Sequence, residues 1–259
     1  MKLIIETLKG EWGTFTPFHI FTILVTLSAP FILYFALRKR SMMTQKITLF
    51  ILSLSGTGAI IYNLLMWGSP LEYLPFHLCS INALLLPISI ITSSRLLAST
   101  LPLFSIGAFA AIALNYAQGN YVILSWVFAV YFFPHMLEFA IPFVQLKLGL
   151  VKTGAKYIFP SVGMTFSFYT VAHFVNRVVN KVLDAQEKVD SLGEPVSVNY
   201  MYSLDPEGLP ILSQLWDICP CEYFYMLLLF PLVLLIYSFM NYKEIFRMIA
   251  SRRSGSIRS

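Results

Sequence analysis

The chain has 259 residues, of which 57% are hydrophobic and 12% charged, with a mean hydropathy of +0.71. A soluble globular domain carries about 25% charged residues, so this composition excludes an ordinary water-soluble fold and makes lipid the solvent. The formal charge of +5 is gathered in short blocks beside apolar runs, which reads as membrane topology and not as a nucleic-acid surface.

Met1 to Gly10 lacks the n-region, short apolar core and A-x-A site of a secretory signal peptide, so the first span is expected to be retained and to direct insertion. Apolar runs near the length of a bilayer core predict spans at 17–37, 47–67, 74–93, 96–115, 121–146, 157–179 and 222–242. Backbone in lipid must satisfy its own hydrogen bonds, and runs of this length do so as helices. The expected fold is all-α: one polytopic bundle of seven transmembrane helices covering 1–259. Spans three and four are divided only by the Ser-Ser-Arg turn at 93–95.

Alternate loops are basic. Arg38, Lys39, Arg40 and Lys46 follow span one, Arg95 follows span three, and Lys147, Lys152 and Lys156 follow span five. Lys243, Arg247, Arg252, Arg253 and Arg258 follow span seven, whereas 68–73 and 116–120 hold no Lys or Arg. The positive-inside rule therefore predicts an outside N-terminus and a cytoplasmic C-terminus. The segment 180–220 is expected outside and acid-rich, its first part extending span six as an amphipathic helix over 178–189. The basic end at 243–259 is expected to be a cytoplasmic, lipid-facing tail.

Ionisable groups inside spans are costly and are functional candidates by default. All four histidines fall in spans: His19, His77, His135 and His173. Glu138 lies one turn after His135, and Asn82 one turn after Cys79. The predicted topology puts the histidines at outer or middle depth, which suggests one polar cavity roofed by 180–220. Three cysteines, two of them at 219 and 221, give neither a disulfide framework nor metal-ligand spacing. No metal and no cofactor are expected. In Leu74-Pro75-Phe76-His77-Leu78-Cys79, Pro75 suits a first helical turn and leaves Cys79 near a helix N-terminus, where unpaired amides favour a thiolate. A base for Cys79 must come from another span, and His135 is the best placed, with Glu138 able to orient it or to satisfy the cavity.

These residues resemble a family. Phe15-Thr16-Pro17-Phe18-His19-Ile20, Leu74 to Cys79, Phe132-Phe133-Pro134-His135, and Asn199-Tyr200-Met201-Tyr202 followed by Pro210 to Asp217 are similar, in order and spacing, to the YwaF-like bacterial integral membrane proteins. That group is related to animal transmembrane protein 164. The chain departs from the pattern in a long polar insertion at 180–198 and in Ile218-Cys219-Pro220-Cys221. The resemblance implies an acyltransferase, and a wider likeness to the androgen-induced fatty-acid-ester hydrolases points to the same chemistry. Cys79 would take an acyl group from a phospholipid as a thioester, with His135 as base and then acid. A lysolipid would receive it, or water would if the enzyme is a hydrolase. Asn82 is expected near the oxyanion, and Asn199 and Tyr200 are expected to close the roof. His19, His77, Glu138 and His173 are expected to line the cavity. Membrane lipids are the expected partners and a bacterial plasma membrane the expected location, with the oligomeric state left open. The competing reading is a carrier that binds a lipid or small molecule between helices without catalysis. Against it, the sequence shows no inverted repeat.

Overall fold

The computed structural model describes residues 10–66, 69–115, 120–123, 125–189, 193–247 and 250. The expectations for the first nine residues and for 251–259 lie outside the described residues. The described chain is helical, with only isolated bridges at Glu11/Val122 and Val189/Pro195 beside the helices. Where one bundle is expected, the chain divides into two compact units. Unit 1 takes the described residues of Met1–Met66 and Leu78–Lys152, and unit 2 those of Trp67–His77 and Thr153–Ser259.

Unit 1 holds α1 (Pro17–Leu37), α2 (Met42–Met66), α3 (Leu78–Thr92), α4 (Arg95–Leu114) and α5 (Trp126–Lys147). Short hydroxyl side chains set where most of them start. Thr16 Oγ1 accepts the amide of His19, Ser41 Oγ that of Thr44, Ser94 Oγ that of Leu97 and Ser125 Oγ that of Phe128. The Ser41 cap explains why α2 begins five residues before the expected 47. At the narrow divide between α3 and α4, Ser93 turns the chain with φ 51° and Ser94 caps the next helix. α5 packs against each of the other four helices of the unit. Its buried side includes Phe128, Phe132, Glu138 and Ile141, while Phe21, Leu24 and Phe31 of α1 are exposed apolar groups of the kind lipid covers.

The segment before α1 is part of the core. Trp12 is fully buried among Ile112, Phe128 and Phe132, and its Nε1 donates to Thr22 Oγ1 at 3.1 Å. Its backbone amide donates to Tyr121 O at 2.8 Å, which ties this segment to the approach to α5.

Unit 2 holds α6 (Ile158–Ala185), α7 (Pro210–Ile218), α8 (Phe224–Leu227) and α9 (Phe230–Met240), with 3₁₀ turns at Pro70–Tyr73, Ala155–Tyr157 and Tyr200–Tyr202. α6 runs well past the expected 179, and the predicted amphipathic helix is its continuation. Asn176, Val179 and Leu183 are buried on one face, packed with Val196, Val198 and Tyr200. Two asparagines on this face hold the returning chain. Asn176 donates to Tyr200 O at 2.9 Å and accepts Tyr200 N–H at 2.8 Å, and Asn180 donates to Val198 O at 3.0 Å and accepts Val198 N–H at 2.7 Å. The register works because four helical residues rise about 6 Å and two extended residues span about 6.6 Å. The described part of the polar insertion is thus a helix extension with an extended return segment clamped along it.

Among the described residues, five helices are long and apolar enough to cross a membrane: Pro17–Leu37, Met42–Met66, Arg95–Leu114, Trp126–Lys147 and Ala155–Ala185. Shorter apolar helices occupy Leu78–Thr92 and Phe224–Met240, at the places of the expected third and seventh spans. The third is shorter than expected because Leu74 to His77 stay outside the helix, and Pro75 lies three residues before its first turn.

Candidate active site

Unit 1 gathers the polar groups of α3 and α5. Cys79 is the second residue of α3, half-buried, in a first turn whose amides have no acceptor within the helix. The hydroxyl and amide of Ser80 and its own amide lie close to its Sγ. Donors so placed are those that would hold a sulfur anion, or an oxyanion formed beside it.

His135 Nδ1 lies 2.7 Å from the carbonyl oxygen of Tyr131. A carbonyl only accepts, so Nδ1 carries the hydrogen and Nε2 keeps its lone pair. The Tyr131 ring packs on the imidazole at 4.4 Å between centroids, and its hydroxyl donates to Ala111 O at 2.9 Å, which holds the ring to α4.

α3 and α5 are joined by one bond, from Asn82 Nδ2 to the backbone carbonyl of Glu138 at 3.2 Å. That carbonyl is available because residue 142 is proline and supplies no amide to the helix. α3 and α5 flank α4 in the chain and both pack on it, so consecutive reversals leave them running the same way. Cys79 stands three residues before Asn82 and His135 three before Glu138, so each lies about one turn from the bonded pair on its own helix. Both lie within electrostatic reach of the Glu138 carboxyl. A Cβ on Gly56 of α2 would stand 2.7 Å from Glu138 Oε1 and 2.8 Å from Ala83 Cβ, so the carboxyl occupies space that only glycine leaves.

His19 also lies in unit 1, fully buried, but both of its ring nitrogens are engaged by backbone. Nδ1 accepts the Phe15 amide at 2.9 Å and Nε2 donates to Ile112 O at 2.8 Å. It fixes the start of α1 against α4.

The remaining expected residues belong to unit 2. His77 Nδ1 accepts the Met201 amide at 3.4 Å and its ring meets Tyr200 at 5.4 Å. His173 Nδ1 is 3.2 Å from Ser203 Oγ, and its ring meets Tyr223 at 5.2 Å. Tyr200 is held by Asn176, and its hydroxyl bonds to Leu71 O and receives the Leu74 amide at 3.3 Å. Burial pushes that hydroxyl up to about 12. Asn199 works within its own loop, donating to Asp205 O and accepting the Leu204 amide, each at 2.9 Å. Met201, Tyr202 and Tyr223 have φ of 55°, 55° and 65°, a left-handed conformation unusual for such side chains.

Sequence reasoning did not single out Ser80, Tyr131, Gly56 or Ser203. Ser80 is visible as the neighbour of a helix-starting Cys, and Tyr131 as the residue one turn before His135; the other two depend on contacts distant in sequence. Among the described residues no group of three or more His, Cys, Asp or Glu side chains is arranged to hold a metal.

A family model described as the TMEM164 family matches residues 13–242 of the chain. No curated protein and no solved structure matches it.

Proposed function

The chain belongs to the TMEM164 family of membrane proteins, and from that premise we propose that it is a membrane-embedded acyltransferase acting through Cys79 and His135. The observation that carries this reading is the hydrogen bond from His135 Nδ1 to Tyr131 O, which leaves Nε2 as the ring nitrogen to serve as base.

In the first half-reaction the Cys79 thiol gives its proton to His135 Nε2 as sulfur attacks the ester carbonyl of a phospholipid. A C–S bond forms and the C–O bond breaks. The departing lysolipid oxygen takes the proton back from Nε2. The amides of Cys79 and Ser80 are the donors placed for the oxyanion. One amide hydrogen of Asn82 is committed to the Glu138 carbonyl, which leaves the second for an oxyanion. In the second half-reaction a lysolipid hydroxyl attacks the thioester, its proton passing to Nε2 and then to the departing sulfur. Water in place of the lysolipid makes the outcome hydrolysis.

The proposal includes seven spans, with Leu78–Thr92 and Phe224–Met240 added to the five long helices, an outside N-terminus and a cytoplasmic C-terminus. Its support is the alternation of basic loops. The likeness to YwaF-like proteins supports a bacterial plasma membrane as the location. The test is to supply labelled phospholipid and lysolipid in nanodiscs and follow both lipids. Acyl transfer by wild type that disappears in Cys79→Ala and His135→Ala is expected. A folded wild type that moves no acyl group across a broad lipid panel would sink the reading in favour of a carrier.

A further inference from the structure

Asn82 and Glu138 carry polar atoms that the protein leaves unused. Asn82 is fully buried and Glu138 is 5% exposed. Because a backbone carbonyl accepts only, the bond from Asn82 to Glu138 O fixes which end of the amide is nitrogen. Asn82 Oδ1 is therefore an acceptor, and neither it nor Glu138 Oε2 has a hydrogen-bond partner. Inside a helical membrane bundle an unmet acceptor has no bulk water to turn to. The two sit one turn beyond Cys79 and His135 on the same pair of helices, and Gly56 leaves the room that the Glu138 carboxyl takes up.

We propose that Asn82 Oδ1 and Glu138 Oε2 form the docking subsite for the O–H group that attacks the Cys79 thioester. The inference rests on the acyl-transfer reading and adds to it the place where the second nucleophile waits. An O–H donor is the chemistry that fits: its hydrogen is met by one of the two unmet oxygens while it waits, by both only if it is water, and turns to His135 Nε2 as the step begins, with its own oxygen one turn from the thioester carbon. In the step itself that oxygen bonds to the acyl carbon, its hydrogen passes to His135 Nε2, the C–S bond breaks, and the sulfur regains the proton from Nε2. Asn82 and Glu138 are positioning residues and exchange no proton. The O–H belongs to a lipid alcohol or to water, and the two are separable by isotope.

The test uses the full chain in nanodiscs, with Cys79 acylated from labelled phospholipid and followed by intact mass. Decay of the adduct is timed in ¹⁸O water, with and without 1-alkyl-2-hydroxy-glycerophosphocholine. Asn82→Leu is expected to slow deacylation roughly tenfold more than it slows acylation, the effect of a buried acceptor lost to the incoming O–H. A lag confined to ¹⁸O-labelled fatty acid assigns the subsite to water, and one confined to acylated lysolipid assigns it to the lipid alcohol. Unchanged deacylation in both arms overturns the inference while leaving the thioester reading intact. Absence of any adduct on wild-type Cys79 overturns both. Should Asn82→Leu not fold, the isosteric Glu138→Gln carries the same expectation, and equal slowing of acylation and deacylation in either variant would mark a merely structural role and overturn the proposal.

Discussion

Asn82 in unit 1 and Asn176 in unit 2 are both fully buried and both sit on helices, yet they are used differently. Asn176 is filled: it exchanges two bonds with the Tyr200 backbone and donates a third, at 2.9 Å, to Ser203 Oγ. Asn82 makes one bond and leaves Oδ1 without a partner, beside a carboxyl in the same condition. A saturated buried amide is an architectural part, since every atom of it is accounted for by the fold. A half-used one implies that something else completes it. The contrast separates a residue that anchors a loop from one beside the proposed chemistry.

The comparison breaks most sharply at the catalytic pair. His135→Ala should lower acyl transfer by about 10²–10⁴-fold with little change in the melting temperature in detergent, while Asn180→Ala should lower that temperature and leave transfer per folded molecule unchanged. Parallel loss of rate in both would erase the distinction between the units.

Asn176→Leu comes next. It strands the buried backbone of Tyr200 and takes one of the two partners of Ser203 Oγ, and should cost about 3 kcal/mol, read by denaturant titration or by proteolysis of the loop after α6. A cost below about 1 kcal/mol would mean that the clamp does not hold that loop.

Gly56→Ala should destabilise by about 1–3 kcal/mol, since the new methyl meets the Glu138 carboxyl at 2.7 Å and Ala83 at 2.8 Å. Gly163→Ala, where nothing lies within 4 Å, should stabilise α6 by up to about 1 kcal/mol. Equal effects in the two would remove the case that α2, α3 and α5 close around the carboxyl.

The smallest expected effect is a pH step. The Tyr200 hydroxyl is neutral in the fold up to about 12 against an ordinary 10, so the unfolded chain loses that proton first. Stability from this group is whole below pH 10 and falls as pH rises from there to about 12. Unfolding rates of Tyr200→Phe should lack that step, and a step that persists would assign it elsewhere.

Much of unit 1 was readable along the chain. The bounds of α1 agree with the expected 17–37, because Thr16-Pro17 is a local cap and basic residues close the span. α4 and α5 start beside Ser94 and Ser125 for the same kind of reason. The ends of α3 were less legible, since Pro75 is as compatible with an extended approach as with a first turn. Cys79 and His135 could be chosen because their types and helix positions are local facts. His19 was chosen by residue type, without sight of its partners. Backbone at Phe15 and Ile112 engages both nitrogens of His19, and only the folded chain reveals that. The burial of Trp12 and the pairing of Asn176 with Tyr200 were invisible for the same reason, being set by contacts far apart in sequence.

The central claim is that Cys79 carries an acyl group, and intact-protein mass spectrometry after incubation with labelled phospholipid in nanodiscs tests it most directly. The account predicts one added acyl mass on Cys79, labile to hydroxylamine, absent in Cys79→Ala and strongly reduced in His135→Ala. Acyl transfer that continues in Cys79→Ala, or a folded wild type whose Cys79 stays unmodified, would contradict it.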